Sequence, residues 1–323
     1  MKVFVTRDIP EKGLQQIEHE FDQVGVYHGD TPIPRDQLEQ EIKDVHGLLC
    51  LLTDTIDRAL IEQADQLQVI SNYAVGYDNI DITTATEKGI LVTNTPGVLT
   101  RSTAELTWSL LLATVRRVVE ADQFVRDGSF KGWSPTLFRG LELGGKTLGI
   151  FGAGRIGQAV GRRAGAFDMS VLYSSRSRKN AFEEDTGASY VELEELLQES
   201  DVLSLHCPST DETRGLLDEE ALRTMKPGAY LINTARGDVV DEGALVKLLE
   251  EGHLAGAGLD VYENEPDVHP GLLDLDNVLL LPHIGSATHE TRDKMAVMAA
   301  QNLIQGLQGE EPPHPVNKEV LTD

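Results

Sequence analysis

Short apolar runs alternate with amphipathic stretches along the whole chain. Lys2–Thr6, with Val3-Phe4-Val5 at its centre, reads as a strand, and Pro10–Phe21 repeats its apolar residues at helical spacing. The apolar run Gly47–Thr53 predicts a buried strand, Ile56–Ala64 a helix and Gln68–Asn72 another strand. Strands alternating with helices predict a parallel sheet covered on both faces. The pattern breaks at Thr95-Pro96-Gly97. Thr103–Val125 then reads as one long amphipathic helix, with Ser102 as its cap and Glu105 in its first turn. A glycine- and tryptophan-containing loop, Gly128–Arg139, follows. From Thr147 the pattern restarts: strand Thr147–Phe151, glycine turn Gly152–Gly157, helix Ile156–Phe167, strand Ser170–Ser174. Further strands are predicted at Val202–Leu205, Tyr230–Asn233, Gly256–Asp260 and Val278–Leu281, with helices at Leu193–Gln198, Glu242–Glu251 and Thr288–Gly306.

The restart implies two α/β domains, which 323 residues accommodate. The simplest arrangement is a Rossmann-like dinucleotide domain, residues 101–286, inserted into a second Rossmann-like, flavodoxin-like domain formed by residues 1–100 and 287–323. The cleft between two such domains is the expected active site.

Charge and cysteine content narrow the function. With a formal net charge of −25, nucleic-acid binding through a basic patch is not expected. Arginine outnumbers lysine and the acidity is spread along the chain. That fits a salt-adapted protein and an ordinary acidic one equally. Cys50 and Cys207 lie far apart among apolar residues, which predicts buried thiols and no disulfide or metal site. No run is long enough to span a bilayer, and the N-terminal MKVFVTRD has no apolar signal core, so a cytoplasmic protein is expected.

Gly152-Ala153-Gly154-Arg155-Ile156-Gly157 fits the dinucleotide fingerprint, and here it follows an apolar strand and opens a helix. Gly152 would permit the tight turn, Gly154 the approach of the pyrophosphate and Gly157 the close packing of helix on strand. The phosphates would meet the backbone of Arg155 and Ile156 at the helix's positive end. An NAD enzyme places an acid after the second strand. Asp168 precedes that strand and reads as a turn residue, whereas the strand runs into Ser174-Ser175-Arg176-Ser177-Arg178-Lys179. Hydroxyls and cations there, with Ser175, Arg176, Ser177 and Arg178 as contacts, suit a 2′-phosphate. NADP(H) is therefore the expected cofactor, with NAD(H) the alternative.

Three segments place a polar side chain just past a predicted strand: Asn233–Gly237, Gly258–Pro266 and Leu281–Ser286. Ligands bind at that edge of an open α/β sheet. Reduction of a 2-keto acid needs hydride on carbon and a proton on oxygen. A histidine suits the proton, a carboxylate steadies the imidazolium, and an arginine grips the substrate's carboxylate. His283, Glu265 and Arg236 are the candidates for these roles, with Arg236 and His283 both touching substrate.

These segments, with Asn72–Asp81 and the glycine turn, resemble the D-isomer-specific 2-hydroxyacid dehydrogenase family over essentially the whole chain, and most of all its glyoxylate/hydroxypyruvate reductase branch. The resemblance implies that Arg236, Glu265 and His283 are the catalytic trio and that Val75 and Gly76 bind the substrate carboxylate through backbone N–H groups. It further implies cofactor contacts at Thr103, Cys207, Pro208, Thr234, Ala235, Arg236, Asp260, His283 and Gly285. It makes residues 103–125 a homodimer-forming element. In that branch an aromatic on the following loop reaches the partner's site; the loop here is shorter, with Trp133 at that place. Leu51 and Leu52 either line the substrate pocket or fill the core. The substrate expected is glyoxylate or hydroxypyruvate. Another D-2-hydroxyacid dehydrogenase, of the D-lactate or 3-phosphoglycerate type, and a dinucleotide-sensing binding protein are the alternatives.

Overall fold

The computed structural model describes residues 1–321. Two compact units are present. Met1–Leu99 joins the segment from Ser286 onward in the first, and Thr100–Gly285 forms the second.

The first unit carries five parallel strands: β1 (Lys2–Val5), β2 (Gln23–Val26), β3 (Gly47–Cys50), β4 (Val69–Asn72) and β5 (Leu91–Thr93). Their order is β2-β1-β3-β4-β5. One face is covered by helices Glu11–Glu20 and His289–Leu307, whose Ile17, Ala296, Ala300 and Leu303 are buried against Val3, Val5, Leu49 and Val69. Leu38, Ile42, Leu60, Ile61 and Ala85 fill the other face with Leu48, Ile70 and Val92. The second unit carries seven parallel strands: β6 (Thr147–Phe151), β7 (Ser170–Ser174), β8 (Ser189–Tyr190), β9 (Val202–Leu205), β10 (Ala229–Asn233), β11 (Leu254–Leu259) and β12 (Val278–Leu280). Their order is β12-β11-β10-β9-β6-β7-β8. Both are doubly wound α/β sheets, as the alternation of apolar runs and amphipathic stretches predicts. In each the strand order reverses at one point, between β1 and β3 and between β6 and β9. There the chain leaves a crevice at the carboxyl ends of the strands.

One expected helix is two. Residues 103–125 do not form a continuous rod: the first helix is Thr100–Val115 and the second Val118–Arg126. In an unbroken helix the Val115 carbonyl would accept from the N–H four residues on. Instead it accepts Leu141 N–H at 2.9 Å, where the returning chain crosses it. Gly140 allows that crossing, since a Cβ there would lie 2.1 Å from the same carbonyl. Arg117 takes a left-handed conformation (φ 55°), and its guanidinium lies 5.0 Å from the Phe138 ring centroid. The expected strand Gly47–Thr53 is also shorter, because the Asp54 carboxylate draws Leu51 N–H out of the ladder at 2.8 Å. No helix among the described residues is long and apolar enough to cross a membrane.

Candidate active site

The glycine turn lies between β6 and the helix Arg155–Ala164. Gly152 has φ +99°, and a Cβ on it would meet Cys207 N at 2.5 Å. A Cβ on Gly157 would lie 2.3 Å from Gly152 O and 3.0 Å from Ile150, so the helix sits hard against the strand. At Gly154 a Cβ meets nothing within 4 Å. Two glycines are thus fixed by the fold, while the third faces open space at a helix N-terminus that no side chain caps. The first-turn N–H groups of Arg155 and Ile156 have no intrahelical acceptor there. A pyrophosphate fits this cradle.

After β7, Ser175 Oγ donates to Ser177 O at 2.8 Å, and Lys179 Nζ to Ser177 Oγ at 2.7 Å. Arg178 departs from the expectation of a free phosphate ligand. Its Nε and Nη2 form a fork on Glu183 at 2.8–3.0 Å, and Tyr173 Oη donates to the same carboxylate at 2.6 Å. The hydrogen bond from Arg178 and that from Tyr173 hold Glu183 below its ordinary range despite burial. Glu183 is ten residues beyond Tyr173, on the next helix, and no sequence spacing marks it. Arg176 is exposed and makes no ion pair or hydrogen bond among the described residues. Asp168 is a left-handed turn residue (φ 53°) at the opposite end of β7.

The three catalytic candidates lie past three neighbouring strands. Arg236 follows β10, Glu265 lies in the segment after β11, and His283 follows β12. His283 Nδ1 and Glu265 Oε2 are 2.8 Å apart, each side chain under one-third exposed. Burial pushes Glu265 up. The hydrogen bond and charge of His283, the Tyr262 N–H and the Arg236 charge outweigh it, so its carboxyl lies below the usual range. The Glu265–Pro266 peptide is cis. Arg236 Nη1 donates to Ala235 O at 2.8 Å.

Among the supporting residues, Asn233, Gly237, Glu242 and Thr107 had no individual role assigned from the sequence, whereas Thr103, Thr234, Asp260, Cys207 and Pro208 are expected cofactor contacts. Asn233 accepts Ala235 N–H at 3.0 Å and donates to Arg236 O at 2.8 Å, folding the turn that presents Arg236. Gly237 is required beside it, since a Cβ would lie 1.8 Å from the Tyr262 backbone. Glu242, itself buried, accepts Glu263 N–H at 2.9 Å and steadies the segment ahead of Glu265. Asp260 is buried and accepts Ile284 N–H at 2.7 Å and Gly285 N–H at 2.8 Å. Burial raises its carboxyl, and those two N–H groups and the His283 charge offset part of the rise. Thr103 Oγ1 donates to Gly285 O at 3.2 Å, and Thr107 and Thr234 share a hydrogen bond at 2.9 Å. Cys207 is buried, its thiol pushed up to about 12 by desolvation; Pro208 beside it is exposed.

Val75 and Gly76 belong to the first unit, in the loop after β4. Leu51 is partly buried and Leu52 is 38% exposed. Among the described residues no cluster of His, Cys, Asp or Glu is arranged to hold a metal ion.

Comparison with known proteins places this geometry. The NAD binding domain of the D-isomer specific 2-hydroxyacid dehydrogenases matches residues 108–285. The chain is 54% identical to a glyoxylate reductase from Thermococcus litoralis over 325 residues, covering 99% of this chain and 98% of that protein. A crystal structure of a protein from Thermus thermophilus is 48% identical with a TM-score of 0.91, covering 98% of this chain and all of that one. An NADPH-dependent glyoxylate/hydroxypyruvate reductase from Sinorhizobium meliloti, solved with NADP and malonate, is 35% identical with a TM-score of 0.86, covering 98% and 96%. The strand–glycine–helix turn and the full-length likeness agree: this chain is a member of the D-isomer-specific 2-hydroxyacid dehydrogenase family.

Proposed function

We propose that the chain reduces glyoxylate, and hydroxypyruvate with it, using NADPH. The observation that carries this reading is the His283–Glu265 pair at 2.8 Å, in the unit that bears the glycine turn and within the field of Arg236. A bound nicotinamide supplies the hydride. His283 engages Glu265 through Nδ1, which leaves Nε2 to donate the proton to the carbonyl oxygen as that oxygen gains charge. Glu265 holds the imidazolium upright and stabilises its charge until the proton has gone. Arg236 draws the substrate's carboxylate and polarises the ketone. In the first unit, the N–H groups of Val75 and Gly76 are assigned to carboxylate binding. The relatives of like name support the substrate, and the absence of an acid at the end of β7 supports NADPH. Arg176 is the cation assigned to the 2′-phosphate, because Arg178 is committed to Glu183.

We also propose that the chain forms a homodimer through Val118–Arg126. Val118, Val119 and Val125 are more than half exposed on that helix, Phe130 is 52% exposed and Trp133 is 85% exposed. Exposed apolar side chains so close together in sequence support a protein interface here. Sedimentation as a monomer at micromolar concentration would remove it.

The decisive experiment follows oxidation of NADPH and NADH by the purified chain with glyoxylate and with hydroxypyruvate. NADPH is oxidised faster, Arg176→Ala narrows the preference, and His283→Ala lowers kcat about 100-fold or more. Preference for NADH overturns the cofactor assignment. Tight cofactor binding without turnover of any 2-keto acid favours a dinucleotide-sensing protein instead.

A further inference from the structure

Three consecutive carbonyls in the loop after β4 are each held by a hydrogen bond. Ala74 O accepts Thr95 N–H at 2.8 Å, Val75 O accepts Asn94 Nδ2 at 2.7 Å, and Gly76 O accepts Asn72 Nδ2 at 2.9 Å. A trans peptide unit is planar, so the C=O of one residue and the N–H of the next point in opposite directions. Holding the Ala74 carbonyl therefore turns Val75 N–H the other way, and holding the Val75 carbonyl does the same to Gly76 N–H. Neither N–H has an acceptor among the described residues. Successive N–H groups presented together form a concavity for an anion.

The two asparagines are themselves fixed. Asn94 follows β5; its carbonyl accepts Asn302 Nδ2 at 2.9 Å and its N–H donates to His314 O at 3.3 Å. Asn72 ends β4 and is fully buried. Its Oδ1 accepts from Cys50 Sγ at 3.6 Å, and its Nδ2 also donates to Asn79 Oδ1 at 3.1 Å, which sets the amide's orientation. Asn79 in turn donates to Leu51 O and Asp54 O at 3.1 and 3.0 Å. All of these groups lie in the first unit, so the loop's peptide orientation is built into that unit alone.

We propose that Asn94 and Asn72 are positioning residues that aim the Val75 and Gly76 N–H groups at the substrate carboxylate. This rests on the reading that the loop receives that carboxylate. Neither asparagine touches the reacting atoms. Each acts by denying the peptide plane its flipped alternative, in which a carbonyl oxygen would face the anion.

Asn94 is the one to change, because it is only partly buried. Asn94→Asp keeps the shape, removes the donor and sets an anionic oxygen against the Val75 carbonyl. Asn94→Ala removes the donor without adding charge. In both variants KM for glyoxylate rises about tenfold or more, the loss of one partly buried hydrogen bond, while kcat stays within about threefold, the mark of lost binding alone. The NADPH dissociation constant is unchanged. Calorimetry on the cofactor-loaded protein with oxamate, a non-reducible 2-keto acid analogue, shows the same fold-loss of affinity. Unchanged KM and oxamate affinity in both variants overturns the proposal. So does a parallel fall of kcat, cofactor affinity and melting temperature, which would make Asn94 merely structural. If the unaltered protein binds oxamate but reduces no 2-keto acid, the functional reading falls and the oxamate affinities of the variants still decide this one.

Discussion

At the scale of single residues, the site depends on a backbone conformation that its histidine would not choose. His283 has φ 53°, in the left-handed region that costs a non-glycine residue about 1–2 kcal/mol. Asp260 compensates by taking the next two N–H groups, those of Ile284 and Gly285, one on each oxygen. Asp260→Asn keeps the size but leaves one of those buried N–H groups facing an amide that cannot accept from it. The expected result is a loss of about 1–3 kcal/mol in unfolding free energy, read from urea titration, and a kcat that falls more than KM rises. Unaltered kcat would mean that the His283 loop needs no such anchor. Glu265 gives a pH signature. Its folded pKa is depressed below the ordinary 4.5, so its contribution to stability is present above that value and is lost as pH falls through the folded pKa. Thermal midpoints of the protein and of Glu265→Gln should therefore differ most near neutrality and converge below about pH 4.5. A gap that persists into acid would assign the effect to packing rather than charge.

At the scale of elements, the glycine turn separates what the fold needs from what the cofactor needs. Gly157→Ala forces a Cβ to 2.3 Å from Gly152 O, so helix Arg155–Ala164 must move off β6; lowered stability is expected even without cofactor. Gly154→Ala meets nothing within 4 Å. Its melting temperature should match the parent's within about 2 °C, as an open-site substitution does, while cofactor affinity falls because the Cβ stands where the pyrophosphate approaches. Equal cofactor affinity in Gly154→Ala would exclude this turn as the phosphate cradle. These glycines were legible in the sequence because their context, strand before and helix after, is local. So were β7 and β9, whose predicted and observed limits coincide, since each is a short, mostly apolar stretch rich in Val, Leu or Tyr between polar boundaries. The helix break at Val115 was not legible, because the N–H that takes its carbonyl belongs to Leu141, in a returning segment beyond the second helix and the loop. β2 is an edge strand with no fully buried residue, so it carries no apolar run. The fork of Arg178 on Glu183, the Asn233 turn and the Asn94 contact share one reason for escaping notice. Each is a hydrogen bond whose partners are chosen by tertiary placement, and a polar side chain in a sequence does not declare its acceptor.

At the scale of the whole molecule, the dominant physical fact is charge. Asp and Glu number 53 against 28 Lys and Arg, a formal net of −25. Many arginines are already used in exposed pairs within or between helices, such as Arg58–Glu62, Arg126–Asp122 and Arg223–Glu251. Exposed pairs of this kind are worth about 0–1 kcal/mol each, and salt weakens them. The carboxylates in excess of the available cations repel one another, and salt weakens that repulsion too. The two effects oppose, and the excess decides the sign: pairing is limited by the 28 cations, whereas repulsion acts among all unpaired acids. Raising potassium chloride from about 0.01 to about 0.1 M shortens the screening length from about 30 to about 10 Å, which removes repulsion between distant carboxylates before it touches contact pairs. The melting temperature should therefore rise over that interval, and isomolar sucrose should not reproduce the rise. A fall would show that the exposed pairs outweigh the repulsion and that the acidity is an ordinary surface property. A rise that continued well beyond about 0.1 M, where screening is largely complete at these distances, would point to a surface built to hold water and cations, the salt-adapted reading of the same composition.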